Sequence, residues 1–352
     1  MTTQHGFARV AAAFVASAVL VGGSIGAHAE STSGSITIRG AGATFPAPLY
    51  AKWIDSFEKQ NAGVAIVYDA VGSGEGTSRF VGGGIDFGAS DAALSDTDMA
   101  RIPQGAVVVP ATAGMIVLAY NVEGITGELK LPRDVYVGIL AGEITSWDDP
   151  RLRDANPRIS LPHRTIALVA RLDSSGTTYA LTRHLAAVGG AWGARGLGYG
   201  KMVDWPAGTM FARGNEGVAA RIKISADSIG YVEYGFAKRL GLPMASLQNR
   251  AGHYIRPEEE AGKIALEHAS SGEAADLRQF DPDPDGVDSY GLVTYSWLLL
   301  YKRYNDAQRR DAVKEFVQWG LTAGQSFSNS LGYLPLPAAV SSRSQQVIDT
   351  IQ

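Results

Sequence analysis

Thr165-Ile166-Ala167-Leu168-Val169-Ala170-Arg171 runs directly into Leu172-Asp173-Ser174-Ser175-Gly176-Thr177-Thr178, and a helical pattern over 178–187 follows at once. The first seven residues form a short apolar run with the character of a buried strand. The polar loop after it brings a guanidinium, several hydroxyls and a flexible glycine to the start of the helix. The first N–H groups of a helix have no intrahelical partner, and the helix dipole leaves that end partly positive. Arg171, the hydroxyls and those N–H groups together suit an anion.

The same order recurs along the chain. Residues 35–39 read as a strand, Gly40-Ala41-Gly42-Ala43-Thr44-Phe45-Pro46 as a turn, and 46–60 as a helix with Leu49, Trp53, Ile54 and Phe57 on one face. Residues 64–70 read as a strand and Gly72-Ser73-Gly74-Glu75-Gly76-Thr77 as a second glycine turn, with a short helix to Phe80. Residues 86–91 read as a strand ending on polar residues. Strands are expected at 107–110, 115–120 and 228–233. Helices are expected at 133–141, 215–224, 258–269 and 307–319, and from Pro337 onward; 289–301 is strand-rich. This alternation predicts an α/β protein with largely parallel sheets, and ligands in such sheets lie beyond the carboxyl ends of the strands. The three glycine junctions (40–45, 72–77, 173–178) all fall there. Each is either a tight turn with a Ser/Thr helix cap or one wall of a shared oxyanion pocket; three together favour the pocket.

The chain has 352 residues, a net charge of −4 and no cysteine. Residues 1–29 have the form of a secretory signal peptide: Arg9, an apolar stretch over 10–25, and Ala27-His28-Ala29 as the cleavage site. The remainder, about 320 residues, suits two α/β domains. Without cysteine it has no disulfide framework, no thiolate metal site and no lipid-anchored N-terminus. Its mildly acidic balance argues against nucleic acid or an anionic membrane as partner. An anion must then be held by local dipoles and hydrogen bonds.

Arg171 either presents a bidentate fork to two oxygens, oriented by Asp173, or makes an ordinary surface ion pair. Asp91 either caps the helix after Ser95, sits in a solvated turn, or accepts a proton from its ligand. A carboxylate beside an anion repels it unless the anion carries hydrogen, as phosphate does and sulfate at neutral pH does not. A site built around one such bond rejects an isostere lacking it by up to ~10⁴–10⁵-fold. No nucleotide loop, Gly-x-Ser-x-Gly elbow or His-Glu-x-x-His is present, and Gly40-Ala41-Gly42 lacks the third glycine of the dinucleotide fingerprint. His163, His184, His253 and His268 are far apart in surface-like contexts, so no metal or histidine base is expected. Trp147, Trp192 and Trp205 suit core or hinge packing.

Residues 40–50, Gly72-Ser73-Gly74-Glu75-Gly76, Asp86-Phe87-Gly88-Ala89-Ser90-Asp91 and Ile144-Thr145-Ser146-Trp147-Asp148-Asp149-Pro150 strongly resemble the phosphate-binding proteins of bacterial phosphate ABC transporters, the PstS family. So do Ser175-Gly176-Thr177-Thr178, residues 214–220 and Ser228-Ile229-Gly230-Tyr231-Val232-Glu233-Tyr234. The match runs in order over nearly the whole mature chain. The resemblance implies a type II periplasmic binding protein fold: two α/β lobes joined by two hinge strands, near 111–114 and 289–301. Lobe I is then 30–111 plus 292–352, and lobe II is 112–291. It implies a periplasmic, monomeric, non-enzymatic receptor without cofactor. The receptor binds inorganic phosphate and delivers it to membrane permease subunits served by a cytoplasmic ATPase.

By position, Thr44 and Phe45 supply N–H and hydroxyl contacts, Ser73 supplies more, and Asp91 accepts the phosphate proton. Arg171 binds oxygens and pairs with Asp173; Ser175, Gly176 and Thr177 complete the cage. Leu172 and Ser174 depart from the family's Arg-Ser-Asp-Gly-Ser-Gly-Thr-Thr, and Glu75 stands where glycine is frequent. Alternation along the strand is expected to turn Leu172 away from the Arg171 side. Rival readings are a receptor for sulfate, molybdate or arsenate, an exported phosphohydrolase or phosphotransferase with Ser175 or Thr177 as nucleophile, and an adhesion or signalling protein.

Overall fold

The computed structural model describes residues 35–270 and 276–352. The signal peptide expected at 1–29 lies outside the described residues. Strands β1 (Ile36–Gly42), β2 (Val64–Asp69) and β3 (Phe87–Ser90) come first, then the long β4 (Ala106–Asn121) and a short β5 (Lys130–Leu131). They are followed by β6 (Ala167–Arg171), β7 (Met210–Ala212), β8 (Ser228–Glu233), β9 (Ser246–Gln248), β10 (Tyr254–Ile255) and β11 (Val293–Tyr301). Eight of them form one sheet in the order β2-β1-β3-β11-β4-β8-β6-β7; β10, β9 and β5 form a small second sheet.

The sheet has two parallel flanks and an antiparallel middle. β1 pairs in parallel with β2 and β3 on one flank, and β6 with β7 and β8 on the other. β4 and β11 run antiparallel to each other and to their outer neighbours β8 and β3. The expectation of largely parallel sheets therefore holds for the flanks and fails at the centre. There the chain passes between the two halves instead of returning through a helix.

The apolar runs at 107–110 and 115–120, expected as separate strands, are one strand of 16 residues. The small residues between them, Ala111-Thr112-Ala113-Gly114, read as a break, but extended backbone there has partners on both sides. Thr112 and Ala113 face Ser296 and Tyr295 of β11, while Ala113 N–H donates to the Leu334 carbonyl at 3.2 Å and Leu334 N–H returns a bond at 2.8 Å. Glycine is needed at 114 because the Phe45 ring packs onto it, where an added Cβ would lie 2.8 Å away. β4 pairs with β11 as far as Met115 and with β8 from Ile116 onward. The β4–β11 register shifts between Ser296 and Trp297, opposite Thr112 and Pro110. Proline is tolerated in a strand at such an irregularity.

Each half contributes aromatic side chains to one continuous core. In the first, the helix Ala47–Glu58 buries Leu49, Tyr50, Trp53 and Phe57. Trp53 meets Phe316 edge-on at 6.5 Å, and its indole N–H donates to the Gly324 carbonyl at 2.8 Å. Burying each large apolar side chain is worth about 1.5–3 kcal/mol. Phe316 belongs to the helix Ala307–Leu321, whose first turn is capped by Asp306 accepting from Gln308 and Arg309 N–H. The C-terminal segment thus returns to the first half. In the second half Trp147 and Trp192 are fully buried, and half-buried Trp205 stacks on Tyr231 at 5.4 Å.

His184 corrects the surface-like reading of the histidines. It is buried, with Nε2 2.9 Å from the Tyr136 hydroxyl and Nδ1 2.9 Å from the Pro282 carbonyl. Burial holds its pKa below the ordinary histidine value, against the nearby Asp283. Arg133 makes a two-pronged pair with that Asp283, at 3.0 and 2.6 Å. This cluster fastens the 281–288 turn segment onto the second half.

Candidate functional site

Helix starts from both halves meet beyond the ends of β1, β3 and β6. Two helices open earlier than their sequence suggested. Ser73 is the first residue of the helix Ser73–Val81, behind Gly72 at φ 98°. Ser175 is the N-cap of the helix Gly176–Val188, its Oγ accepting from Thr178 N–H at 3.0 Å. Serine is a favoured N-cap because it satisfies one of the unpaired N–H groups. Gly176 and Thr177 thus occupy the first turn, where N–H groups have no intrahelical partner.

The approach of the two helices is close. A Cβ on Gly176 would lie 2.5 Å from Ser73 Oγ and 2.7 Å from the Asp91 amide nitrogen. Gly74 N–H donates to the Ser174 carbonyl at 2.9 Å, and a Cβ there would meet the Ser174 Cβ at 2.3 Å. Only glycine fits at these two crossings.

Arg171 ends β6 and is buried, its side chain paired with Asp173 through Nε at 2.9 Å and through Nη2. This is a buried fork, and the surface ion-pair alternative is set aside. Asp173 also accepts from Gly214 N–H at 2.9 Å, at the start of the helix Gly214–Ile224. Burial pushes the Asp173 carboxyl up, but the Arg171 hydrogen bonds and charge outweigh it and hold the group below the usual range. The remaining Arg171 nitrogen, Nη1, donates to Thr177 Oγ1 at 3.4 Å.

Asp91 lies just past β3 with 2 % of its surface exposed. Its oxygens accept from Ser296 Oγ at 2.8 Å and from Thr177 Oγ1 at 3.2 Å, and its N–H donates to Ser73 Oγ at 3.2 Å. Burial pushes the carboxyl up to about 6, against the lowering effects of Ser296, Arg171, Thr177 and Lys201. The helix-cap role open to it in sequence belongs to Ser95, which accepts from Asp98 N–H.

The structure therefore links Ser73, Asp91, Arg171, Asp173 and Thr177 directly, and brings Thr44 to them through Asn215. Phe45 is buried next to Thr44, with its carbonyl accepting from the Tyr333 hydroxyl at 2.7 Å. Thr44, Gly74, Asp173, Ser174 and Gly214 line a cleft of 1110 Å³. Leu172 points away from the cluster and is 48 % exposed, as strand alternation requires. Ser174 adopts no left-handed backbone, so its substitution for glycine costs no strain there. Glu75 lines the cleft, but its charge is shared with Arg79 at 2.8 Å.

Four contributors were missed by sequence reasoning. Ser296 comes from β11, 205 residues from the Asp91 it holds. Lys201 reaches across to donate to Thr77 Oγ1 at 3.1 Å, and burial lowers its pKa against the attraction of Asp98 and Asp91. The Tyr231 hydroxyl accepts from Arg171 N–H at 3.1 Å and lies 2.6 Å from Thr178 Oγ1. Asn215 bonds both Thr44 and Thr177. Asn215 and Tyr231 fall within the family-like stretches; Ser296 shows only as a polar residue in an apolar strand, and Lys201 carries no local signal. Among the described residues, no cluster of three or more His, Cys, Asp or Glu is placed to hold a metal ion. No described helix is long and apolar enough to cross a membrane.

A mixed sheet with two parallel flanks, two crossing strands and a polar cluster between the halves defines a binding protein of the type II periplasmic class. Residues 27–323 match the family model described as the PBP superfamily domain. The "Phosphate-binding protein PstS" of Pasteurella multocida is 38% identical over 88% of this chain and 89% of its own length. That of Methanocaldococcus jannaschii is 33% identical over 90% and 87%. The chain belongs to the PstS family. Among solved structures, a high-affinity periplasmic phosphate-binding protein with phosphate bound aligns at TM-score 0.71 and 21% identity, covering 88% of this chain and 93% of that one. A phosphate-binding protein from Stenotrophomonas maltophilia aligns at TM-score 0.69 and 20% identity, over 89% and 94%. At those identities the likeness is one of fold.

Proposed function

We propose that this chain is a non-enzymatic periplasmic receptor. It captures inorganic phosphate between two lobes and passes it to the membrane permease subunits of an ABC transporter. One observation carries the choice of ligand: with Asp173 committed to Arg171, the buried Asp91 carboxylate is set among donors, the Ser296 and Thr177 hydroxyls. An oxyanion that carries hydrogen bonds both kinds of group; a fully deprotonated one meets repulsion at Asp91. The Arg171 guanidinium, the first-turn N–H groups of Gly176 and Thr177, and the hydroxyls of Thr44, Ser73 and Ser175 donate to phosphate oxygens, together with the Phe45 N–H; the Thr177 hydroxyl donates to Asp91. Asp173 holds Arg171 in place. The Ser175 hydroxyl is engaged as a helix cap, which supports the receptor over a nucleophile.

The lobes are residues 30–111 with 292–352, and 112–291. The change of β4 partner from β11 to β8 at Met115/Ile116 supports a hinge there. Phosphate, touching both lobes, favours the closed arrangement by the difference in its contacts. Calorimetric titration of residues 30–352 with phosphate and with sulfate tests this. Phosphate is expected to bind and sulfate to bind far more weakly; tight sulfate binding, or equal affinities, overturns the reading.

A further inference from the structure

The helix Gly214–Ile224 was not expected to touch the ligand, yet its second residue sits at the centre of the polar cluster. Asn215 is fully buried. Its Oδ1 accepts from Glu233 N–H at 2.9 Å, which fixes the amide so that the NH₂ end faces the site. That end donates to Thr44 Oγ1 at 3.1 Å and to Thr177 Oγ1 at 3.3 Å. The Asn215 backbone N–H adds a second bond to Thr44 Oγ1, also at 3.1 Å. Arg171 Nη1 adds a second to Thr177 Oγ1 at 3.4 Å.

A hydroxyl has two acceptor lone pairs and one hydrogen to give. Thr44 Oγ1 receives two hydrogens, and Thr177 Oγ1 receives two. With both lone pairs engaged, each hydroxyl can only donate. Thr177 already does so, to Asp91. We propose that Asn215 is a positioning residue that sets the hydrogen-bonding polarity of this site. By filling the acceptor capacity of Thr44 and Thr177, it makes both hydroxyls obligate donors, Thr44 toward an unprotonated oxygen of the ligand and Thr177 toward Asp91. Asp91 is left to take the hydrogen. Thr44 follows β1 and Thr177 follows β6, so the amide also ties the two halves. Donor polarity is completed only when they are together. This rests on the phosphate reading above.

The test is a double-mutant cycle on the mature chain, read by calorimetry with inorganic phosphate and accompanied by a thermal melt of each variant. Wild type is titrated first; if it does not bind phosphate, the receptor reading fails and this inference with it. Asn215→Ala is expected to weaken phosphate binding by about 10- to 100-fold, the loss of one or two hydrogen bonds at tenfold per ~1.4 kcal/mol. In a Thr44→Val background the same substitution is expected to lose a much smaller factor, because the hydroxyl it acts on is gone. In a Thr44→Ser background, which keeps the hydroxyl, the full loss returns. If wild type binds but Asn215→Ala leaves affinity essentially unchanged, or costs the same in the Val and Ser backgrounds, the assignment to Asn215 is overturned and the phosphate reading stands. Should Asn215→Ala fail to fold, Asn215→Ser carries the same cycle.

Discussion

Asp91→Asn removes one ionisable carboxyl and leaves the side chain nearly the same shape. Two effects of opposite sign are expected. Without ligand, the wild-type protein holds a carboxylate in a buried place that pushes it up from 3.8 to about 6. A shift of roughly two units costs up to about 3 kcal/mol once the group is ionised, at 1.36 kcal/mol per unit. The folded pKa lies above the unfolded one, so the stability that Asp91 contributes is complete below about pH 4. It is lost as pH rises through 6. Asparagine does not titrate. The variant is therefore expected to be more stable than wild type at pH 8, by 1–3 kcal/mol after allowing roughly one weakened hydrogen bond to Ser296 or Thr177. The advantage should vanish at pH 4.

With ligand the order reverses. The amide cannot take the phosphate hydrogen as a charged acceptor, and hydrogen bonds to charged groups are worth about 1.5–3 kcal/mol. Phosphate affinity is expected to fall by roughly 10- to 100-fold, while sulfate, no longer repelled, binds more tightly than before. Thermal or urea melts at pH 4 and 8, and calorimetry with both anions, read the two effects separately. A variant that is less stable at both pH values, with an unchanged ratio of phosphate to sulfate affinity, would refute the reasoning.

Gly176→Ala is expected to abolish phosphate-induced closure and to lower Tm, because the new Cβ strikes Ser73 Oγ and the Asp91 amide in the arrangement that the structure shows. Small-angle scattering with and without phosphate checks it; wild-type compaction in the variant would count against the close approach. Glu233 is fully buried at the start of the helix Tyr234–Arg239, and burial pushes it up to about 8 despite its bonds from Gly235 and Phe236 N–H. Its folded pKa is raised, so its contribution to stability is lost as pH climbs through 8. Glu233→Gln should flatten the fall of stability between about pH 5 and 8 in urea titrations, and an undiminished slope would reject the assignment.

The parts of this molecule that were legible in sequence are those written in consecutive residues. Gly40–Phe45, Gly72–Thr77 and Asp173–Thr178 announce their turns and caps locally, and Asp91 shows itself as a charge at the end of an apolar strand. The parts that were not legible depend on what lies across the fold. Ala111-Thr112-Ala113-Gly114 does not look like a strand, yet Phe45 packs on Gly114 and the Leu334 backbone bonds Ala113. Ser296 is a polar residue in an apolar strand, a visible oddity whose partner is 205 residues away. Asn215 stands at the start of the helix expected at 215–224, and nothing beside it in sequence shows that its amide meets Thr44 and Thr177. Helix starts at Ser73 and Gly176 were placed late because glycine and β-branched residues look unhelical, yet the first turn tolerates them.

The register shift of the crossing strands falls beside Ser296, whose hydroxyl holds the acceptor oxygen of Asp91. Under the proposed lobe bounds Ser296 and Asp91 lie in the same lobe, so a receptor opening about Met115/Ile116 carries their bond intact. The Thr177–Asp91 bond crosses the opening instead. Opening would then take away the lowering effects of Arg171 and Thr177 on the Asp91 carboxyl and keep that of Ser296. The angle between the halves and the surroundings of that carboxyl would change together.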